Sequence, residues 1–119
     1  MTWFFYQWGG GSFRKFAQYS SDNKKYSIFI KAKNPEGSFG PQEFKIILNG
    51  KNCNKQIIIT QLYNDGAQAR VGEEVKTEFT DDTHAIIIFD GKEQKPETIE
   101  IFFNEQENTI EVIRTQETP

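Results

Sequence analysis

Cysteine and histidine, the residue types that most often carry catalysis, occur once each in this chain, as Cys53 and His84. A cysteine nucleophile needs a nearby base, and zinc sites need several cysteine or histidine ligands. Cys53 lies in an Asn-Cys-Asn loop without the sharp turn that exposes a nucleophile. His84 begins an apolar run and is interpreted as a partly exposed structural residue. We therefore predict that the protein is not an enzyme and has no cofactor or metal site. A hydrolase that depends on His84 is the alternative.

Carboxylates suggest a second chemistry, because oxygen ligands in the loops of β-sandwiches bind calcium. Asp81 and Asp82 are adjacent, and Asp65 and Asp90 each precede a glycine. Asp-Gly pairs are explained by hairpin turns. We expect all four aspartates to serve in turns, and calcium binding at Asp81 and Asp82 stays open.

Aromatic residues concentrate near the N-terminus, where they fill five of the six positions from Trp3 to Trp8. Rings with polar tips suit glycan stacking, protein hot spots and the bilayer interface. We predict that Trp3, Tyr6 and Trp8 bind a ligand, with Phe39 in the long surface loop 34–41 as a further ligand-binding residue.

A glycine-rich run, Gly9-Gly10-Gly11-Ser12, follows this segment and is typical of a flexible joint. Three interpretations of residues 1–12 stay open. They form an ordinary first strand with core rings, a functional aromatic patch, or an appended peptide and linker.

Charge is distributed unevenly along the chain. Residues 1–60 carry nine Lys/Arg and three acids, a formal +6, whereas residues 61–119 carry five Lys/Arg and fourteen acids, a formal −9. Such asymmetry indicates electrostatic partners or self-pairing. We expect hairpins from the two halves to interleave, so that the charges neutralise each other within one molecule. Self-association of a basic with an acidic surface, which would give a homo-oligomer, is the alternative.

Basic and aromatic residues also mix early in the chain, a pattern typical of single-stranded nucleic-acid binding. However, the formal net charge of the chain is −3 and no RNA-binding sheet motif is readable. Nucleic acid is therefore not the expected partner. The stretch consists of Phe13, Arg14, Lys15, Phe16, Tyr19, Lys24, Lys25, Tyr26, Lys31 and Lys33.

The elements that position these residues are predicted to be short strands. β-Branched and aromatic residues alternate with polar ones at hairpin spacing, and helical periodicity is nearly absent. Residues 99–112 give the clearest hairpin. We predict one domain over residues 1–119, an all-β, two-sheet antiparallel β-sandwich of about eight or nine strands. Its topology is jelly-roll or immunoglobulin-like, with a small barrel as the alternative.

Four apolar residues fall on the nominally outer faces of these strands, where a solvated sheet should be polar. Either another part of the chain covers them or they form a subunit interface. The four are Phe29, Ile47, Phe102 and Ile113.

No run reaches the ~18 apolar residues of a membrane helix, and the N-terminus does not resemble a signal peptide. The single cysteine favours a reducing compartment, so the cytoplasm is the favoured location. Together these features predict a non-catalytic recognition module that binds a protein or a glycan through its N-terminal aromatics, and its self-association stays open. The alternatives are a membrane-interacting, pore-forming β-sandwich and a single-stranded nucleic-acid-binding protein.

Overall fold

The computed structural model of the chain describes residues 13–33, 41–50, 55–64, 67–92 and 94–116. Within them, eight antiparallel strands form two four-stranded sheets, which confirms the predicted all-β, two-sheet architecture. Sheet A comprises β1 (Arg14–Ser20), β2 (Tyr26–Ala32), β3 (Gln42–Gly50) and β4 (Gln56–Leu62). Sheet B comprises β5 (Val75–Asp81), β6 (His84–Phe89), β7 (Glu97–Asn104) and β8 (Thr109–Gln116).

The strand order in both sheets follows the chain, β1-β2-β3-β4 and β5-β6-β7-β8. The connectivity is therefore simpler than the jelly-roll and immunoglobulin topologies, in which the chain passes repeatedly between sheets. The stretch 71–79, which fits a helical turn or an edge strand, contributes the edge strand β5. No helix in the described part of the chain is long and apolar enough to cross a membrane.

The core lies between the two sheets and follows the two-residue period of the strands. Alternate residues of β2, β6 and β7 are buried, as expected for strands with one face on a core. Rings interlock across this interior: Phe44 meets Phe16 and Phe89 edge-to-face, with ring centroids 5.2 and 5.1 Å apart. Tyr26 stacks on Phe103 at 4.5 Å. The Phe44–Phe89 and Tyr26–Phe103 contacts join the first sheet to the second, whereas Phe16 and Phe44 both belong to sheet A.

A buried carboxylate joins the sheets at the edge where β4 and β8 lie. Glu97, 9% exposed, accepts a hydrogen bond from the Thr60 hydroxyl at 2.6 Å. Arg114 donates to the other oxygen of Glu97, through Nε at 2.9 Å, and its Nη2 lies 2.7 Å from that oxygen. The Arg114 guanidinium also donates to the Ile59 carbonyl at 3.2 Å. One charged group is thereby satisfied from both sheets, as a buried ion requires.

The two oppositely charged halves of the sequence form separate sheets. Sheet A takes its strands from residues 14–62 and sheet B from residues 75–116. The expectation that hairpins of the two halves interleave and neutralise each other is therefore wrong. Contacts between opposite charges of the halves occur at one end of the sandwich, where Lys25 lies 2.6 Å from Glu105. Part of the charge of each half faces outward, on opposite sides of the sandwich.

Candidate functional site: an apolar, basic sheet face

The four predicted ligand-binding residues, Trp3, Tyr6, Trp8 and Phe39, lie outside the described residues, as does Cys53. Phe13 is the first described residue after the aromatic segment. Its ring lies beneath the ammonium group of Lys45, 4.7 Å from the ring centroid, on the outer face of sheet A. The aromatic segment is thus covalently attached at this face.

We call the outward surface of sheet A the A face. It carries four lysines and one glutamate, a formal +3, together with five apolar side chains. Its members are Phe13, Lys15, Phe29, Lys31, Lys33, Glu43, Lys45, Ile47, Ile57 and Ile59.

Three lysines of the A face lie in one row across neighbouring strands. Lys15 is directly opposite Lys31 on β2, and Lys31 is directly opposite Lys45 on β3. In the described part of the chain none of the three has a carboxylate within 4.0 Å. Like charges directly opposite each other destabilise a sheet, so the fold itself gains nothing from this row. An external anionic group would relieve the repulsion.

Two rings of the A face partly compensate these cations. The Lys31 ammonium lies 5.5 Å from the Phe29 ring centroid, and the Lys45 ammonium lies 4.7 Å from that of Phe13. A cation over an aromatic face contributes about 0.5–1 kcal/mol at an exposed site. The rings therefore hold the lysine heads in place, which prearranges the positive charge.

Isoleucines complete the A face on the edge strand β4. Ile57 and Ile59 are 54% and 55% exposed, whereas Ile58 between them points into the core and is 7% exposed. Ile57 continues a row with Phe29 and Ile47, whose outward direction is as expected from the sequence. Apolar area and the lysine row Lys15, Lys31 and Lys45 thus occur side by side on one surface.

The opposite surface, which we call the B face, is the outward side of sheet B. It carries one lysine and three glutamates, a formal −2 with His84 neutral, and directs four large apolar residues outward, of which Ile113 is exposed and the other three are half-buried. Phe102 and Ile113 point outward here as expected. A depression of about 610 Å³ beside Phe102 is also lined by Glu105, Glu107 and Glu111. The members of the B face are Lys76, Glu78, Thr80, His84, Ile86, Ile88, Glu100, Phe102, Glu111 and Ile113.

His84 is half-buried on the B face and joins three strands. Its Nδ1 lies 2.7 Å from the Thr80 hydroxyl, its Nε2 lies 3.0 Å from Glu100, and its ring stacks on Phe102 at 4.5 Å. The tautomer that donates from Nε2 to Glu100 leaves Nδ1 to accept from Thr80. This order of hydroxyl, imidazole and carboxylate resembles a triad, but the Thr80 hydroxyl also lies 3.2 Å from the His84 carbonyl. The contacts connect β5, β6 and β7, as a structural residue would.

Asp81 and Asp82, at the turn between β5 and β6, both accept hydrogen bonds from other residues of the chain. Asp81 accepts hydrogen bonds from the Thr83 amide at 2.8 Å and the Thr83 hydroxyl at 3.1 Å, which lower the pKa of its carboxyl. Asp82 accepts from the Asn23 amide at 3.1 Å, which links the two sheets. Among the described residues no group of three or more His, Cys, Asp or Glu is placed to hold a metal ion. Asp81 thus has a turn role, whereas Asp82 connects its own turn to that of Asn23 in the other sheet.

Sequence reasoning identified part of the A face and missed the rest. Phe13, Lys15, Lys31 and Lys33 of the basic, aromatic stretch do share this surface, but Phe16, Tyr19 and Tyr26 pack in or against the core. The missing members Lys45, Ile57 and Ile59 come from β3 and β4. The alternation of Lys45 with apolar neighbours indicated that Lys45 points outward. The uniform isoleucine run gave no such indication for Ile57 and Ile59.

Comparisons with models of protein families, with curated proteins and with solved structures find no match to this chain.

Proposed function

We propose that the protein is a non-catalytic recognition module that binds a protein partner through the A face. The observation that carries the proposal is the row of Lys15, Lys31 and Lys45, which lacks described carboxylate partners and lies beside the exposed Ile57 and Ile59. Such a surface costs stability in isolation and is complemented by a partner that presents both acids and apolar side chains.

The isoleucines favour a protein over a purely anionic ligand. Burial of a half-exposed isoleucine stabilises a complex by about 1 kcal/mol, half of the value for a fully buried side chain. A phosphate backbone or a sugar would match the lysines or the rings but would leave this apolar area in water. A protein surface can meet both, which is why the described residues favour a protein partner over a glycan.

The aromatic segment belongs to the proposal because of where it is attached. Residues 1–12 precede Phe13, whose ring lies on the A face, and twelve extended residues span at most ~40 Å. Trp3, Tyr6 and Trp8 can therefore reach any part of this face or a partner seated on it. We propose that they extend the contact area, and that Phe39 contributes from its loop.

Site-specific photo-crosslinking tests the proposal. A benzoylphenylalanine in place of Ile59 should form an adduct with a protein in an extract of the native cells. The same group in place of Val71, which is equally exposed at 50% but lies in the β4–β5 connection, should not. The purified complex should lose affinity when Lys31→Glu and Lys45→Glu are combined. Absence of an adduct above the Val71 control, or an adduct that persists in the double variant, would overturn the proposal.

The alternative partners are separated by direct binding assays on the same purified chain. Oligothymidylate and vesicles of phosphatidylserine with phosphatidylcholine should bind weakly, and equally in the wild type and the double lysine variant at high salt. Tight oligothymidylate binding that depends on Lys31 and Lys45 would replace the protein partner by nucleic acid. Vesicle binding that disappears on replacement of Trp3 and Trp8 would replace it by a membrane.

A further inference from the structure

We infer that the partner of the A face is the B face of a second copy of this chain, so that the molecules stack head to tail. This inference rests on the proposed function, since it names the occupant of the same surface. The two faces lie on opposite sides of one sandwich, because each sheet turns its other side toward the shared core. Each molecule therefore presents a basic A face on one side and an acidic B face on the other.

Charge is complementary between the two faces. The A face carries a formal +3 and the B face a formal −2. The lysine row of sheet A, Lys15–Lys31–Lys45, would meet a row of sheet B in which Glu78 and Glu100 alternate with Ile86 and Ile113. Complementary potentials steer association and exclude like-charged pairs, since juxtaposed like charges cost several kcal/mol. Two A faces or two B faces would repel each other.

Apolar groups are complementary as well. Ile57 and Ile59 on the A face and Ile113 on the B face are each more than 40% exposed, and all three lie on edge strands at the same side of the sandwich. Four strands of about seven residues give a face of roughly 19 by 23 Å. That area lies below the ~800 Å² per partner of a standard interface. The stack is therefore weak and forms at high protein concentration.

Edge-to-edge pairing is disfavoured at three of the four edge strands, β1, β4 and β5. β1 and β5 each contain a register shift, between Lys15 and Ala17 and between Phe79 and Asp81. On β4, the Ile59 carbonyl already accepts a hydrogen bond from the Arg114 guanidinium. Bulges and charged side chains at edges are devices that block strand addition.

Association of two different faces is heterologous and does not close unless a rotation makes a ring. Stacking through opposite sides of a flat sandwich leaves a free A face at one end of each assembly and a free B face at the other. The expected product is an open series of dimers, trimers and longer stacks whose mean length grows with concentration.

Two face variants of the full-length chain test this arrangement by sedimentation velocity at low ionic strength. One combines Lys31→Glu with Lys45→Glu, and the other combines Glu78→Lys with Ile113→Lys, which spares Glu100 and its bond to His84. Each variant alone should stay monomeric, with self-association weakened at least about 100-fold. Mixed in equal amounts, they should associate again, because the intact B face of the first meets the intact A face of the second. The two charge-reversed faces, a formal −1 and a formal +1, are also complementary, so alternating stacks of the two variants are expected.

The outcomes separate this inference from the proposed function. A wild-type chain that stays monomeric at millimolar concentration, or a mixture of variants that forms no dimer, overturns head-to-tail stacking. Suppose that stacking fails but the photo-crosslink from position 59 to another protein disappears in the Lys31→Glu, Lys45→Glu variant. In that case the A face remains a recognition surface, and only the head-to-tail inference fails. If neither variant affects any adduct, both fail. Correct folding of each variant is checked by its methyl NMR spectrum.

Discussion

Lys31 lies directly opposite Lys45 across β2 and β3, and in the described residues neither ammonium has a carboxylate within 4.0 Å. Lys15 extends this row on the other side of Lys31. Cross-strand neighbours of like sign destabilise a sheet. The pair is therefore a cost to folding that a binding partner would offset.

Substitution of Lys31 by threonine should leave the fold as stable as before or more stable. Two like-charge contacts disappear and a residue with high β propensity enters, against the loss of the Phe29 contact. At low ionic strength the free energy of unfolding should rise by up to about 1 kcal/mol, measured by urea unfolding. Lys76→Thr on the B face, where Ile88 is opposite, is the matched control and should show no such gain. A loss larger than 1 kcal/mol in Lys31→Thr would mean that this lysine serves the fold.

Substitutions in the isoleucine run on β4 can distinguish a role in binding from a role in folding, because Ile57 and Ile59 are exposed and Ile58 is buried. Threonine at both Ile57 and Ile59 should change the free energy of unfolding by less than about 1 kcal/mol in total, because exposed substitutions are nearly neutral. The same double variant should abolish self-association in sedimentation. Ile58→Ala, at a position 7% exposed, should cost about 2–5 kcal/mol. Comparable losses for the two variants would show that the outward isoleucines are buried by the chain's own residues.

The Glu97 carboxylate should contribute measurably to stability because it accepts hydrogen bonds from both sheets. Glu97→Gln keeps the shape but removes the charge that Arg114 contacts, and should cost about 1.5–3 kcal/mol in urea unfolding. The control is Glu78→Gln on the exposed B face, which should stay within about 0.5 kcal/mol of the wild type. If Glu97→Gln were equally neutral, the network would not hold the sheets together.

The Asp81 carboxyl should titrate below the usual range in a carbon-detected NMR titration, since the Thr83 amide and hydroxyl donate to its charged form. Because this pKa is lowered by folding, its contribution to stability is present above the unfolded pKa and is lost as the pH falls through the folded pKa. Thr83→Ala removes one of the two donors, so the pKa of Asp81 should move part of the way back. An ordinary pKa for Asp81 in the wild type would contradict the observed turn geometry.

Strand existence was predictable because alternation with period two marks a strand that has one buried face. The pattern of Tyr26, Ile28 and Ile30 is an example, and all three are buried in β2. Pairing was not predictable, since nothing in a single sequence states whether consecutive hairpins share a sheet. Strand pairing decides whether the basic and the acidic half of the sequence share sheets or form separate ones.

The A face depends on register, which is why the sequence revealed only part of it. The shift between Lys15 and Ala17 places Lys15 beside Lys31 and leaves Phe16 free to turn inward, where it meets Phe44. The polar residues that flank the run Ile57–Ile59, Gln56 and Thr60, lie on the same side of β4 as the buried Ile58. They therefore gave no sign that Ile57 and Ile59 point outward.

Isoleucine methyl NMR at increasing protein concentration will show whether the A face binds the B face of another copy. The methyl signals of Ile59 on the A face and Ile113 on the B face should shift or broaden together as concentration rises, and added salt should reverse the change. The core methyls of Ile28 and Ile99 should stay in place. Signals of both faces that remain unchanged up to millimolar concentration, or a change confined to one face, would contradict the account.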